Sequence, residues 1–139
     1  MSDCLFCKIV SGQIPSLKVY EDADVFAFLD IAPVNAGHTL VVPKAHHVSL
    51  EEMPVEDAAR LFAAVRRLAP GIRAAVGAPA FNIGVNTGKE AGQIVMHAHV
   101  HVMPRFADDG LTHWPKKHFT EEEMRGFAGK IAQELGAAG

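Results

Sequence analysis

His97-Ala98-His99-Val100-His101-Val102-Met103-Pro104-Arg105 sets three histidines two residues apart, with small or β-branched residues between them. The run predicts a β-strand. Side chains on a strand alternate between faces, so His97, His99 and His101 form a row on one side while Ala98, Val100 and Val102 enter a core on the other. On a helix, at about 100° per residue, the three rings would scatter and form no row. Adjacent ionisable rings are costly to bury without partners, so a row of this kind reads as a site.

A chain of 139 residues is long enough for one domain spanning 1–139 with a core that needs no disulfides. Its formal charge of −3 argues against broad nucleic-acid binding. A local basic patch around Lys44, Lys89, Arg105, Lys116 and Lys117 would still suit a phosphorylated small molecule. The start Met1-Ser2-Asp3 has no basic signal region, and no apolar run is long enough to span a bilayer, so the expectation is a cytoplasmic protein with no membrane partner.

Outward from the histidine row, Lys18 to Glu21 and Asp24 to Leu29 read as a strand pair, and His38 to Pro43 and Phe81 to Val85 as further strands. Leu5 to Val10 reads as one or two helical turns. Val55, Ala58, Ala59, Phe62, Val65, Ala69, Ile72 and Val76 recur at helical spacing and mark one long helix, with a kink or break expected at Pro70. Thr120 followed by Glu123 is a capping box for a C-terminal helix that Gly136 should stop near Leu135. The whole is an α+β domain: an antiparallel sheet of about five strands, one long helix and a terminal helix.

Two other motifs carry chemistry. Gly84-Val-Asn-Thr-Gly88-Lys89-Glu90 fails the phosphate-loop pattern in both its glycine spacing and the residue after the lysine. What remains is a small polar loop whose N–H groups at Gly88, Ala91 and Gly92 are candidates to cradle an anion. Cys4 and Cys7, the only cysteines, suggest metal or redox chemistry in a reducing compartment. Closing a zinc site would need two more ligands, from His46 or His47 and one histidine of the row.

The run His97-Ala-His-Val-His-Val-Met resembles the signature of the histidine triad family of nucleotidyl hydrolases and transferases. Leu5-Phe-Cys-Lys-Ile9, Phe28-Leu-Asp-Ile31, Gly37-His-Thr-Leu-Val-Val-Pro-Lys44, Asn86 and Gly92-Gln93 follow in the family's order, so the resemblance covers about residues 4–105. It is strongest to the bacterial relatives of the purine nucleoside phosphoramidases, with the dinucleoside-polyphosphate-cleaving branch second. The resemblance implies a homodimeric hydrolase acting on a purine nucleotide such as an AMP–amine conjugate, with no organic cofactor. His99 would be the nucleophile and His101, His97 and His38 its catalytic companions. Leu5, Phe6, Ile9, Phe28 and Ile31 would hold the base, Asp30 the ribose, and Asn86, Gly92, Gln93, His99 and His101 the phosphate and leaving group. Cys4, Cys7, His46 and His97 would bind a structural zinc. Ile94 stands where many relatives carry Ser or Thr, and strand parity would turn it away from the row. Alternatives of other classes are a nucleotide-binding regulatory module with little turnover and a redox or zinc-transfer protein built on the cysteines.

Overall fold

The computed structural model describes residues 3–138, with the side chains of 137 and 138 left aside. It divides after Asp109 into two compact units.

In the first unit, helix α1 (Leu5–Val10) precedes strands β1 (Lys18–Glu21), β2 (Val25–Leu29) and β3 (Thr39–Pro43). A 3-10 turn (Leu50–Glu52) leads to helix α2 (Val55–Ala75), followed by β4 (Ala80–Gly84), a 3-10 turn (Lys89–Ala91) and β5 (Val100–Arg105). The strands form one antiparallel sheet in the order β1-β2-β3-β5-β4. The β3–β5 register places Leu40 opposite His101 and Val41 opposite Val100.

Alternation along these strands divides the apolar residues into two layers. Val25, Ala27, Val41, Val100 and Val102 pack with Leu61, Ala64, Val65 and Ala69 of α2. On the opposite face Phe26, Phe28, Leu40 and Val42 pack with Phe6 and Ile9 of α1. The long helix therefore fills one side of the sheet, while the short helix and the histidines share the other.

Three sequence expectations change here. The histidine run is not one strand: β5 begins at Val100, so His97 and His99 lie on the lead-in that precedes it. The reason is a second set of partners. The Ala98 N–H donates to the His47 carbonyl at 2.7 Å, tying the lead-in to the turn after β3 rather than to a neighbouring strand. Next, α2 runs through Pro70 without a break. An interior proline costs about 3 kcal/mol, but burial of Leu61, Ala64, Val65 and Ala69 on one face outweighs it, at about 1.5–3 kcal/mol for each large side chain.

The third change is in the second unit, where helix α3 (Glu121–Ala138) passes Gly136 instead of stopping there. A helical glycine costs only about 1 kcal/mol, too little to end a helix already under way. Its start is as expected: the Thr120 N–H donates to Glu123 Oε1 at 2.9 Å, and the Glu123 N–H to Thr120 Oγ1 at 3.1 Å. Phe119 and Phe127 meet edge-on at 5.2 Å.

Candidate functional site

The loop from Asp30 to His38, the turn after β3, the 86–99 segment and α1 converge on the histidine face. The loop makes its turn at Gly37, whose φ of +84° suits glycine; a Cβ there would stand 3.0 Å from Val76 Cγ1 and 3.2 Å from Pro104 Cγ. This brings His38 back beside β5.

His99 is nearly buried, and its Nδ1–H donates to the His97 carbonyl at 2.7 Å. A carbonyl only accepts, so the proton sits on Nδ1 and Nε2 carries a lone pair. Phe6 meets the ring edge-on at 5.0 Å and also touches Phe28 at 5.5 Å. His101 lies 5.0 Å from His99, ring to ring, and its Nδ1 is 2.9 Å from His38 Nε2. Asp30 Oδ2 lies 3.6 Å from the same His38 nitrogen, and its Oδ1 accepts from the Ala32 N–H.

Burial holds His38 below the ordinary histidine pKa, with Asp30 opposing, and His101 is pushed down to about 4 by burial, with His99 and His38 adding to it. Since the folded value for His101 lies below the 6.5 of an unperturbed ring, the unfolded chain binds the extra proton between pH 6.5 and about 4. Stability contributed by neutral His101 is complete above this window and is lost as pH falls through it. Urea midpoints should therefore drop on acidification across that range, and His101→Gln should flatten the drop. An equally steep fall in the variant would assign it to other groups.

Cys4, Cys7, His46 and His97 form a separate cluster. Cys4 Sγ is 3.4 Å from His97 Nδ1, Cys7 Sγ is 3.4 Å from His46 Nδ1 and 3.6 Å from His97 Nδ1, and the two ring nitrogens are 3.2 Å apart. A tetrahedral zinc with bonds of about 2.3 Å to sulfur and about 2.0–2.1 Å to nitrogen places its donors roughly 3.3–3.8 Å apart, nitrogen pairs at the short end and the sulfur pair at the long end. The spacing fits. His97 Nε2–H donates to the Pro43 carbonyl at 2.8 Å, which leaves the Nδ1 lone pair facing the cysteines. Burial and the neighbouring Cys4 push the Cys7 thiol up. His47 turns elsewhere, to Asp57 Oδ2 at 2.9 Å, so the geometry selects His46.

The loop before the histidines corrects the anion-cradle expectation. The N–H groups of Ala91 and Gly92 donate to the carbonyls of Gly88 and Lys89, and the Gly88 N–H donates to Gln93 Oε1. These amides close the loop on itself. Gln93 is buried, with Nε2 donating to the carbonyls of Val48 and Val95, so a phosphate contact by Gln93 would have to exchange one of these bonds. Asn86 is half-buried beside Gly92.

Of the apolar set, Phe6, Ile9 and Phe28 are buried, while Leu5 and Ile31 are exposed. Ile94 is 89% exposed and fills no core site. The expected basic patch is partly spent on ion pairs: Lys44 with Glu21 at 2.7 Å and Arg105 with Asp109 at 2.7 Å. Sequence reasoning passed over Val34 and Asn35. The Val34 N–H donates to His38 Nδ1 at 3.1 Å, and Asn35 Nδ2 donates to the Pro104 carbonyl and to Asp109 Oδ2. Their signal was position, in a short loop between a strand-end aspartate and a histidine, where Asn35 is the one polar side chain.

A family model described as the HIT domain matches residues 11–108. A crystal structure of a Streptococcus mutans protein is 48% identical, with a TM-score of 0.91, over 97% of this chain and 87% of that one. A Zn-bound histidine triad family protein from Mycobacterium smegmatis is 40% identical, with a TM-score of 0.76, over 98% of both chains. The adenosine 5'-monophosphoramidase hnt1 of Schizosaccharomyces pombe is 37% identical over 134 residues, 95% of this chain and 98% of the relative. With the domain matched over most of its length and the histidine row in place, this chain belongs to the HIT, or histidine triad, family.

Proposed function

We propose that this protein hydrolyses nucleoside phosphoramidates, AMP–amine conjugates in the first instance, at the α-phosphorus through a nucleotidyl-histidine intermediate. The observation that carries this reading is the His99 hydrogen bond to its neighbour's carbonyl, which leaves Nε2 as a bare nucleophilic nitrogen. As the bond from phosphorus to Nε2 forms, the bond from phosphorus to the amine breaks, and the departing amine takes up a proton from solvent, which the later attack of water returns. Water then cleaves the phosphorus–histidine bond, releasing AMP and restoring His99. The likeness to a relative named a monophosphoramidase supports this choice of leaving group.

The remaining roles belong to the same reading. Phe6, Ile9 and Phe28, with Leu5 and Ile31, would form an apolar bed for the base. Asp30 would accept from ribose hydroxyls, and Asn86, Gly92, Gln93 and His101 would border the phosphate. Cys4, Cys7, His46 and His97 would hold a structural zinc, which fixes α1 and the turn after β3 against the histidine lead-in. Strand β4 is an open sheet edge with Ile83 exposed, and Phe62 on α2 is exposed as well, which supports a homodimer. Among the described residues, no helix is long and apolar enough to cross a membrane.

The test is one adenylated amine and one dinucleoside polyphosphate assayed side by side. Faster turnover of the amine conjugate is expected. Preference for the polyphosphate would move the protein to the second branch, and AMP binding without turnover of either would make it a regulatory nucleotide-binding module.

A further inference from the structure

Two hydrogen bonds assign the protons of the histidine row. A backbone amide only donates, so the Val34 N–H at 3.1 Å requires a lone pair on His38 Nδ1 and puts the ring proton on Nε2. That proton points at His101 Nδ1, 2.9 Å away, which must therefore accept. His101 is left with its own proton on Nε2.

We propose that the 30–38 loop fixes the tautomer of His101 through His38, so that His101 meets substrate as a neutral Nε2–H donor to a phosphoryl oxygen, and that Asn35 is the positioning residue of this relay. The proposal rests on the hydrolase reading above and specifies how that site handles the phosphoryl group. It also explains why one histidine of the row attacks. His99 and His101, two residues apart, are held in opposite tautomers: His99 keeps its proton on Nδ1 and offers bare Nε2, whereas His101 offers Nε2–H and cannot compete as nucleophile. His97 completes the division, with Nε2–H given to the Pro43 carbonyl and Nδ1 turned to the cysteines.

An imidazolium at His101 would put protons on both nitrogens and oppose the His38 Nε2–H. His38 could relieve that clash only by moving its proton to Nδ1, against the Val34 amide. The low pKa of His101, about 4, agrees with a ring kept neutral. No proton is transferred in this role: a neutral His101 that gave up its Nε2 proton would become an imidazolate. It stabilises charge on the phosphoryl oxygen by hydrogen bonding alone.

Asn35 secures the loop from which Val34 donates. Its Nδ2 donates to the Pro104 carbonyl at 2.9 Å and to Asp109 Oδ2 at 3.0 Å, and Asp109 is itself held by Arg105 Nε at 2.7 Å and the Phe106 N–H at 3.1 Å. The Asn35 carbonyl accepts from the His38 N–H, and the His38 carbonyl from the Asp30 N–H. The end of β5 thereby sets where the Val34 amide stands.

The experiment is long-range proton–nitrogen NMR of the full-length protein with 15N-labelled histidines at pH 7.5, rings assigned from single-histidine variants. His38 and His101 should read as Nε2–H and His99 as Nδ1–H. His101 found as Nδ1–H or as imidazolium overturns the proposal. The spectrum needs no substrate, so it can fail while the hydrolase reading stands, or hold if that reading falls. Kinetics on the adenylated amine add a second arm. His38→Leu, which lacks the donor, should lower kcat by about ten- to a hundredfold with little change in KM, while His38→Gln, which keeps an N–H near the same place, should stay within about threefold of wild type. Equal losses in the two variants would show that His38 only fills space and would overturn the relay. Asn35→Ala should populate both His101 tautomers, and an unchanged spectrum would remove Asn35 from the assignment.

Discussion

His99→Ala is expected to abolish turnover, a loss of about a thousandfold or more in kcat, while the variant should stay folded and still bind AMP. The size follows from what is removed: the covalent route through the ring nitrogen disappears, and the binding groups that remain cannot replace a nucleophile. Folding should survive because both ring neighbours of His99 keep other contacts, Phe6 with Phe28 and His101 with His38. Steady-state kinetics, a thermal melt and calorimetric titration with AMP read the three parts separately. His99→Gly should regain some turnover with added imidazole, since the cavity then admits the missing nucleophile, although the glycine loosens the lead-in. Hydrolysis near the wild-type rate in His99→Ala would end the assignment.

The second large effect belongs to the cysteines. Protein purified without added metal should carry one zinc per chain, and Cys4→Ser/Cys7→Ser should melt at least about 10 °C lower while keeping most of its kcat at low temperature. Zinc bound to the native state alone stabilises it by several kcal/mol, and each kcal/mol is worth about 4 °C in a domain of this size. The site joins α1, the turn after β3 and the histidine lead-in, segments that otherwise share few backbone bonds. Activity should persist because His99 and His101 lie outside the ligand set. Elemental analysis and paired melting curves decide it: no zinc together with unchanged melting removes the site. Loss of activity on chelation of a still-folded protein would make the metal catalytic instead.

The sequence was most informative where one local rule acted alone. Alternation assigned Ala98, Val100 and Val102 to the core, helical spacing found α2, and the Thr120 capping box found the start of α3. It was least informative where partners distant in sequence decide. His97 and His99 leave the strand because carbonyls some fifty residues earlier hold this stretch: that of His47 accepts from the Ala98 N–H, and that of Pro43 from the His97 ring. Nothing local separates His46 from His47; Asp57 on α2 does so by claiming His47. The phosphate role of Gln93 came from the family resemblance alone, and the Val48 carbonyl that holds its amide lies 45 residues earlier, where no local pattern points to it. Val34 and Asn35 act through an amide hydrogen and a loop anchor, which residue type alone does not advertise.

The acceptor that orients His99 is a main-chain oxygen, and this shapes what mutation can do to the site. In a serine protease triad the orienting group is an aspartate, and changing it to asparagine costs about 10⁴ in rate. No codon change at position 97 deletes the equivalent atom here, because every amino acid brings the same carbonyl. Substituting His97 would disturb the metal cluster and the fold around it, yet the acceptor would still be present wherever the backbone kept its path. The most exacting alignment in the site is thus written in the polymer itself, and the exposed side chains at 94 and 96 can vary without removing it.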